Sequence, residues 1–117
     1  MSELKIFHNP RCSKSRQTLQ LLQERGYKPT IVEYLKTPVS ARELTAIIEQ
    51  LGFTSARQLM RKGEDSYKEQ NLADPDLDEN TLIQAMVNTP KLIERPIVLN
   101  QGNAAIGRPP EAVLDIL

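Results

Sequence analysis

Two short β-rich stretches flank a single amphipathic helical pattern at the start of the chain, and this limits the fold more than any other feature. Residues 4–8 read as a strand, with Leu4, Ile6 and His8 on one side and Lys5 and Phe7 on the other. Residues 30–34 are again β-rich. Between them Asn9-Pro10-Arg11 is turn chemistry, and a helix should begin near residues 13–15 and end before Gly26, which suits a C′ position. Leu19 and Leu22 form its inward stripe, with Leu21 near the edge. Two strands joined through a helix of about three turns must lie parallel in one sheet.

The rest of the chain divides into a helical block and a second sheet half. Ser40 and Glu43 form a capping box, and Leu44, Ile47, Ile48 and Leu51 follow the i, i+3, i+4, i+7 rule up to Gly52. A short helix is expected from about Ser55, with Leu59 and Met60 apolar, and residues 65–72 should add a helical turn or two. Asp78 can cap a helix carrying Leu82, Ala85, Met86 and Val87, which Pro90 stops. Ile97-Val98-Leu99 then reads as a strand, Asn100-Gln101-Gly102-Asn103 as a hairpin turn and residues 104–106 as the return strand. Pro109 and Pro110 suit a final helix start, with Val113, Leu114, Ile116 and Leu117 inward.

The order is therefore β-α-β, a helical insertion over about residues 40–90, then β-β-α. This predicts a single α/β domain over residues 1–117 with a four-stranded mixed sheet, the thioredoxin-like arrangement. Such folds place a cis-proline before the third strand, close to the active cysteine, so Pro96 is expected to be cis.

The composition excludes several classes. At 117 residues the chain has room for one core, and 39% apolar with 26% charged residues is an ordinary globular balance. Zero formal net charge argues against a dedicated nucleic-acid binder. Acidic residues crowd positions 64–79 and read as a solvated face. No apolar run is long enough to span a bilayer, the N-terminus lacks a signal-peptide stretch, and one cysteine cannot form an internal disulfide. A cytoplasmic location is expected, and redox chemistry at Cys12 needs a thiol from outside the chain.

Cys12 falls where the first strand turns into the first helix. Free first-turn N–H groups and the helix dipole favour an anion there, and a thiolate is an anion. A lone cysteine is as readily a small core residue, but the loop Asn9-Pro10-Arg11-Cys12-Ser13-Lys14-Ser15-Arg16 is poor core material. Lys14 and Arg16 add positive charge, and His8, if protonated, would favour the thiolate further. Ser15 stands where a dithiol oxidoreductase has its second cysteine, and Thr18 where phosphatase-type loops carry an arginine. The topology also brings Arg95 and Arg108 near the Cys12 loop, and guanidinium groups bind tetrahedral oxyanions through paired hydrogen bonds. One cysteine and one histidine fall short of a metal site.

Along His8-Asn9-Pro10-Arg11-Cys12-Ser13-Lys14-Ser15-Arg16 the chain resembles the glutaredoxin-dependent arsenate reductase family. The resemblance continues through Tyr34-Leu35-Lys36-Thr37-Pro38, Leu59-Met60-Arg61, Leu92-Ile93-Glu94-Arg95-Pro96-Ile97-Val98 and Gly107-Arg108-Pro109-Pro110-Glu111. It implies a thioredoxin-like fold with a helical insertion. It also implies reduction of arsenate to arsenite through a Cys12 thiolate adduct, with glutathione as co-substrate and glutaredoxin as a transient partner. By the same resemblance Arg61, Arg95 and Arg108 hold the oxyanion, His8 helps lower the cysteine pKa, and the Ser15 hydroxyl can bond the thiolate. A monomer with no bound cofactor or metal, no nucleic acid and no membrane partner is expected. The chain departs from the common family pattern at Ser13 and Lys14, where glycine and threonine are usual, and at Arg11, often alanine.

Two other readings share the fold. One is a regulator similar to the Spx-type proteins that bind RNA polymerase and sense redox state, although Ser15 removes their usual second cysteine. The other is a thiol-transfer enzyme acting on glutathione mixed disulfides.

Overall fold

The computed structural model describes residues 4–37 and 39–117. Met1, Ser2 and Glu3 of the N-terminal stretch, and Pro38 of the Tyr34–Pro38 segment, lie outside the described residues. The chain forms two compact units, one of Met1–Thr37 with Arg95–Leu117 and one of Pro38–Glu94.

The first unit holds β1 (Lys5–Phe7), α1 (Ser13–Glu24), β2 (Thr30–Val32), β3 (Ile97–Asn100) and β4 (Asn103–Ile106). They make a four-stranded mixed sheet in the order β2-β1-β3-β4. β1 pairs parallel with β2, Ile6 opposite Ile31, and antiparallel with β3, Ile6 opposite Val98. This α/β unit is thioredoxin-like, as its element order predicts. The β3–β4 hairpin turns through Gln101 and Gly102, both at positive φ, the pairing a type I′ turn requires. Ile6, Leu22, Val98 and Val113 are sealed in its core, with Leu4, Leu19, Ala105, Ile116 and Leu117 packed around them. Burying each such aliphatic side chain is worth roughly 1.5–3 kcal/mol, so this cluster fixes α1 against the sheet.

The central position of β1 overrules the alternation read from its sequence. Lys5 is exposed, but Ile6 and Phe7 point to opposite faces and both are buried. A strand buried on both faces reads as a continuous apolar run rather than as an alternating one. The C-terminal segment also differs from expectation. Pro110–Ile116 is 3₁₀ rather than α-helical; Val113 is fully buried, while Leu114, Ile116 and Leu117 are only partly so. Arg95–Pro96 is cis, as expected, and so is Arg108–Pro109, which nothing in the sequence signals.

The second unit holds α2 (Ala41–Gln50), α3 (Asp65–Glu69), α4 (Glu79–Asn88) and short 3₁₀ segments at Ala56–Leu59 and Pro90–Leu92. The Ser40–Glu43 capping box forms as read: the Glu43 N–H donates to Ser40 Oγ at 3.1 Å. Asp78 caps α4 by accepting the Thr81 N–H at 2.8 Å. Leu44, Ile47, Leu59, Leu82, Met86 and Leu92 are buried here. Glu79 ties α4 to the 3₁₀ segment, its carboxylate accepting the Ala56 N–H at 2.6 Å and the Ser55 hydroxyl at 2.9 Å. Among the described residues no helix is long and apolar enough to cross a membrane.

Candidate active site

The loop after β1 is shaped by its own side chains. Asn9 Oδ1 accepts the Arg11 N–H at 3.0 Å and Asn9 carbonyl oxygen accepts the Cys12 N–H at 3.0 Å, closing a tight turn. Arg16 reaches back to donate to the Pro10 carbonyl at 2.8 Å. Cys12 emerges as the N-cap of α1 with extended backbone, and its carbonyl accepts the Arg16 N–H at 3.0 Å, the first bond of the helix. The sequence therefore delivers the thiol to the end of the helix where N–H groups lack partners.

Cys12 is free and only 8% exposed. Burial pushes its thiol up, but this is outweighed by the Ser15 N–H, the Arg95 guanidinium and the Lys14 N–H, which hold it below the ordinary thiol value. The Ser15 and Lys14 amides favour the thiolate as backbone N–H donors to the sulfur. Arg95 acts by hydrogen bonding and by charge. Arg108 Nη2 lies 3.7 Å from Cys12 Sγ, while its Nε donates to the Arg95 carbonyl at 2.8 Å. The two arginines are thus linked to each other as well as to the thiol.

Gly107 explains how Arg108 comes so close. A Cβ at this position would collide with the Thr18 side chain and stand 2.8 Å from Pro96 Cγ. The Gly107 N–H donates to the Pro96 carbonyl at 2.9 Å, docking the end of β4 against the cis-proline. The sequence marks Thr18 as a missing phosphatase-type arginine and Gly107 as part of a family motif, but not the packing of one against the other; the absent side chain of Gly107 becomes meaningful only once these three segments meet.

His8 and Ser15 play parts other than those expected. The Ser15 hydroxyl is fully buried, accepts the Asn9 N–H at 3.0 Å and sits 2.6 Å from His8 Nδ1. The direction of this bond follows the tautomer of His8: Nδ1 accepts the Ser15 hydroxyl proton when Nε2 carries the ring proton. Burial holds the His8 pKa below its ordinary value and Arg16 adds to this, against an opposing pull from Glu33. His8 is therefore a neutral anchor for Ser15 rather than a cation beside the thiol. Ser15 bears on Cys12 through its N–H, while its hydroxyl is committed to the loop.

The structure brings His8, Cys12, Ser15, Arg95 and Arg108 together within the first unit. Arg61 belongs to the second. There its N–H donates to the Leu92 carbonyl at 2.7 Å, and its guanidinium pairs with Glu94 at 3.1 Å and Glu64 at 3.5 Å. No group of three or more His, Cys, Asp or Glu side chains that could hold a metal ion occurs among the described residues. A deprotonated thiol at a helix N-terminus with two guanidinium groups can attack, and then hold, a tetrahedral oxyanion.

Comparison with known proteins agrees with this geometry. The chain is 60% identical over 115 residues to an uncharacterized protein of Escherichia coli (strain K12), YfgD, covering 98% of this chain and 97% of the other. It is 52% identical over 117 residues to an arsenate reductase of Neisseria meningitidis serogroup A, covering all of both chains. A solved arsenate reductase from Vibrio cholerae superposes with a TM-score of 0.96 at 51% identity, covering 97% of each chain. Residues 7–116 match the ArsC family, and with a match of this extent the chain belongs to that family.

Proposed function

We propose that the protein is an arsenate reductase that draws its electrons from glutathione and glutaredoxin. The observation that carries this reading is Arg108 Nη2 at 3.7 Å from a Cys12 thiol that Arg95 also favours as thiolate. The names of the Neisseria and Vibrio relatives support the substrate.

In this reading arsenate binds between the α1 N-terminus and the guanidinium groups of Arg95 and Arg108. Arg61 is assigned a third contact by the family pattern. The Cys12 thiolate attacks arsenic, one oxygen leaves as water after protonation, and a Cys12 S–As(V) bond remains. Glutathione and a glutaredoxin thiol then supply two electrons. Their two sulfurs join in a mixed disulfide, As(V) becomes As(III), and a second oxygen leaves as water. Hydrolysis of the S–As(III) bond adds that water back, releasing arsenite and the Cys12 thiolate. Over the cycle one arsenate and two thiols give one arsenite, one disulfide and one water. Charge stabilisation by preset N–H groups and guanidinium forks is the main contribution of the chain. The protein works in this scheme as a cytoplasmic monomer with no resident cofactor and a transient glutaredoxin complex.

The test is arsenite production by the purified chain with glutathione and glutaredoxin. Turnover is expected in the parent and should vanish in Cys12→Ser. Turnover retained by Cys12→Ser would overturn the assignment of the nucleophile. Arg95→Ala should lose turnover even at a pH where its Cys12 alkylates as fast as the parent.

A further inference from the structure

Beside the nucleophile loop lies a pocket of about 260 Å³ that the oxyanion chemistry does not use. Its wall is shared by the Asn9-Pro10-Arg11 turn and by Glu33, Leu35 and Lys36, which follow β2. Arg11 directly precedes Cys12 in the chain, and Cys12 itself does not line the pocket. The Arg11 guanidinium has no carboxylate partner among the described residues; its only recorded bond is through the backbone. Lys36 pairs with Glu33 at 3.6 Å, with both side chains largely solvated. Leu35 is 47% exposed. The pocket thus presents two cations, one carboxylate and an apolar patch. With His8 neutral its net charge is +1.

We propose that this pocket is the glutathione subsite of the reaction above, a step that rests on that reading. Glutathione carries two carboxylates, one ammonium and a neutral thiol, a net charge of −1 that matches the pocket in sign and pattern. Arg11 and Lys36 take the carboxylates, Arg11 by its two-pronged fork. Glu33, already beside Lys36, takes the ammonium, and Leu35 covers the methylene chain. At 260 Å³ the pocket lies below the range of roughly 300–1,000 Å³ that encloses a drug-sized ligand. It therefore holds the charged ends of the tripeptide and leaves the thiol outside, where it can reach the arsenic on Cys12. This gives Arg11, where the family often has alanine, a substrate-binding role.

The probe is S-methylglutathione, which cannot react, titrated into the Cys12→Ser chain by amide NMR. Saturable shifts are expected at residues 8–11 and 33–36. Arg11→Ala combined with Lys36→Ala should weaken binding at least tenfold, and the diethyl ester of the probe, lacking carboxylates, should bind as poorly. In turnover the same double variant should raise the KM for glutathione about tenfold, with arsenate still protecting Cys12 from alkylation. Shifts centred elsewhere, or an unchanged KM for glutathione in an active double variant, would overturn the subsite while leaving the reductase standing. A parent chain that makes no arsenite, yet binds the probe at these residues, would remove the reductase reading and keep the pocket as a site for peptide zwitterions.

Discussion

Replacing Ser15 by alanine separates the two ways in which this residue could serve Cys12. The hydroxyl is fully buried and satisfies two neighbours, the Asn9 N–H and His8 Nδ1. Both partners are themselves buried, so each loses its bond without gaining free access to water. Leaving a buried polar group unsatisfied costs about 1–3 kcal/mol, so with two such groups Ser15→Ala should destabilise the fold by roughly 2–6 kcal/mol. With an unfolding entropy of roughly 2 cal/mol/K per residue over 117 residues, the lower figure corresponds to ~8 °C in Tm. Urea denaturation followed by far-UV circular dichroism would measure the loss, with an unchanged slope marking it as a loss of stability alone. His8→Leu should couple strongly to it, the double variant losing clearly less than the two single losses together. The alkylation midpoint of Cys12 should meanwhile stay below the ordinary thiol value, because the Ser15 N–H survives the substitution. A stability loss under about 0.5 kcal/mol would refute the anchoring role, since ordinary surface changes cost as much. A near-normal fold whose Cys12 midpoint rises would show that the hydroxyl bonds the thiolate directly.

Three further outcomes follow from the same geometry. Arg95→Ala should move the alkylation midpoint of Cys12 upward; and because the folded chain favours the thiolate, the stability of the parent relative to Cys12→Ser should increase with pH, reaching its full value above about pH 9 and fading as pH falls through the folded-state pKa. A difference in urea midpoint that stays flat with pH under reducing conditions would contradict this. His8 is the only histidine, so its ring resonances titrate alone: their midpoint should lie below the ordinary value of 6.5, and folding stability should drop on the acid side of 6.5. Gly107→Ala should cost about 1–3 kcal/mol from the forced collision with Thr18 and Pro96, and should also reduce arsenate protection of Cys12 by displacing Arg108; full protection would show that Arg108 does not depend on the glycine.

What the sequence reveals here depends on how local the cause is. The capping box of α2, the cap at Asp78 and the left-handed Gly26 and Gly52 that close α1 and α2 are legible because each element carries its own signal within a few residues. The β-α-β and β-β halves follow from periodicity and fix Cys12 at a helix N-terminus. The burial of Phe7 is not legible, because it depends on β1 lying between β2 and β3. Nor is the partner of the Ser15 hydroxyl, which chooses between a sulfur three residues before it and a histidine directly after the preceding strand. The neutral state of His8 follows from its burial, which only the folded chain defines. Composition also cannot show that Arg61 is flanked by Glu64 and Glu94, since Glu94 lies 33 residues away.

Arg108 meets Cys12 across 96 residues of chain, and Arg95 follows the whole second unit. Closing so long a loop costs entropy that β1–β3 pairing and the packing of Val98 and Val113 against Ile6 and Leu22 repay. During synthesis, therefore, the ribosome releases a cysteine long before it releases either guanidinium. Until the last two strands dock, that thiol lacks the part of its acidity the arginines supply. Cys12 thus gains part of its acidity from the N–H groups of its own helix and the rest once the arginines arrive, two steps readable by pulse alkylation of stalled nascent chains.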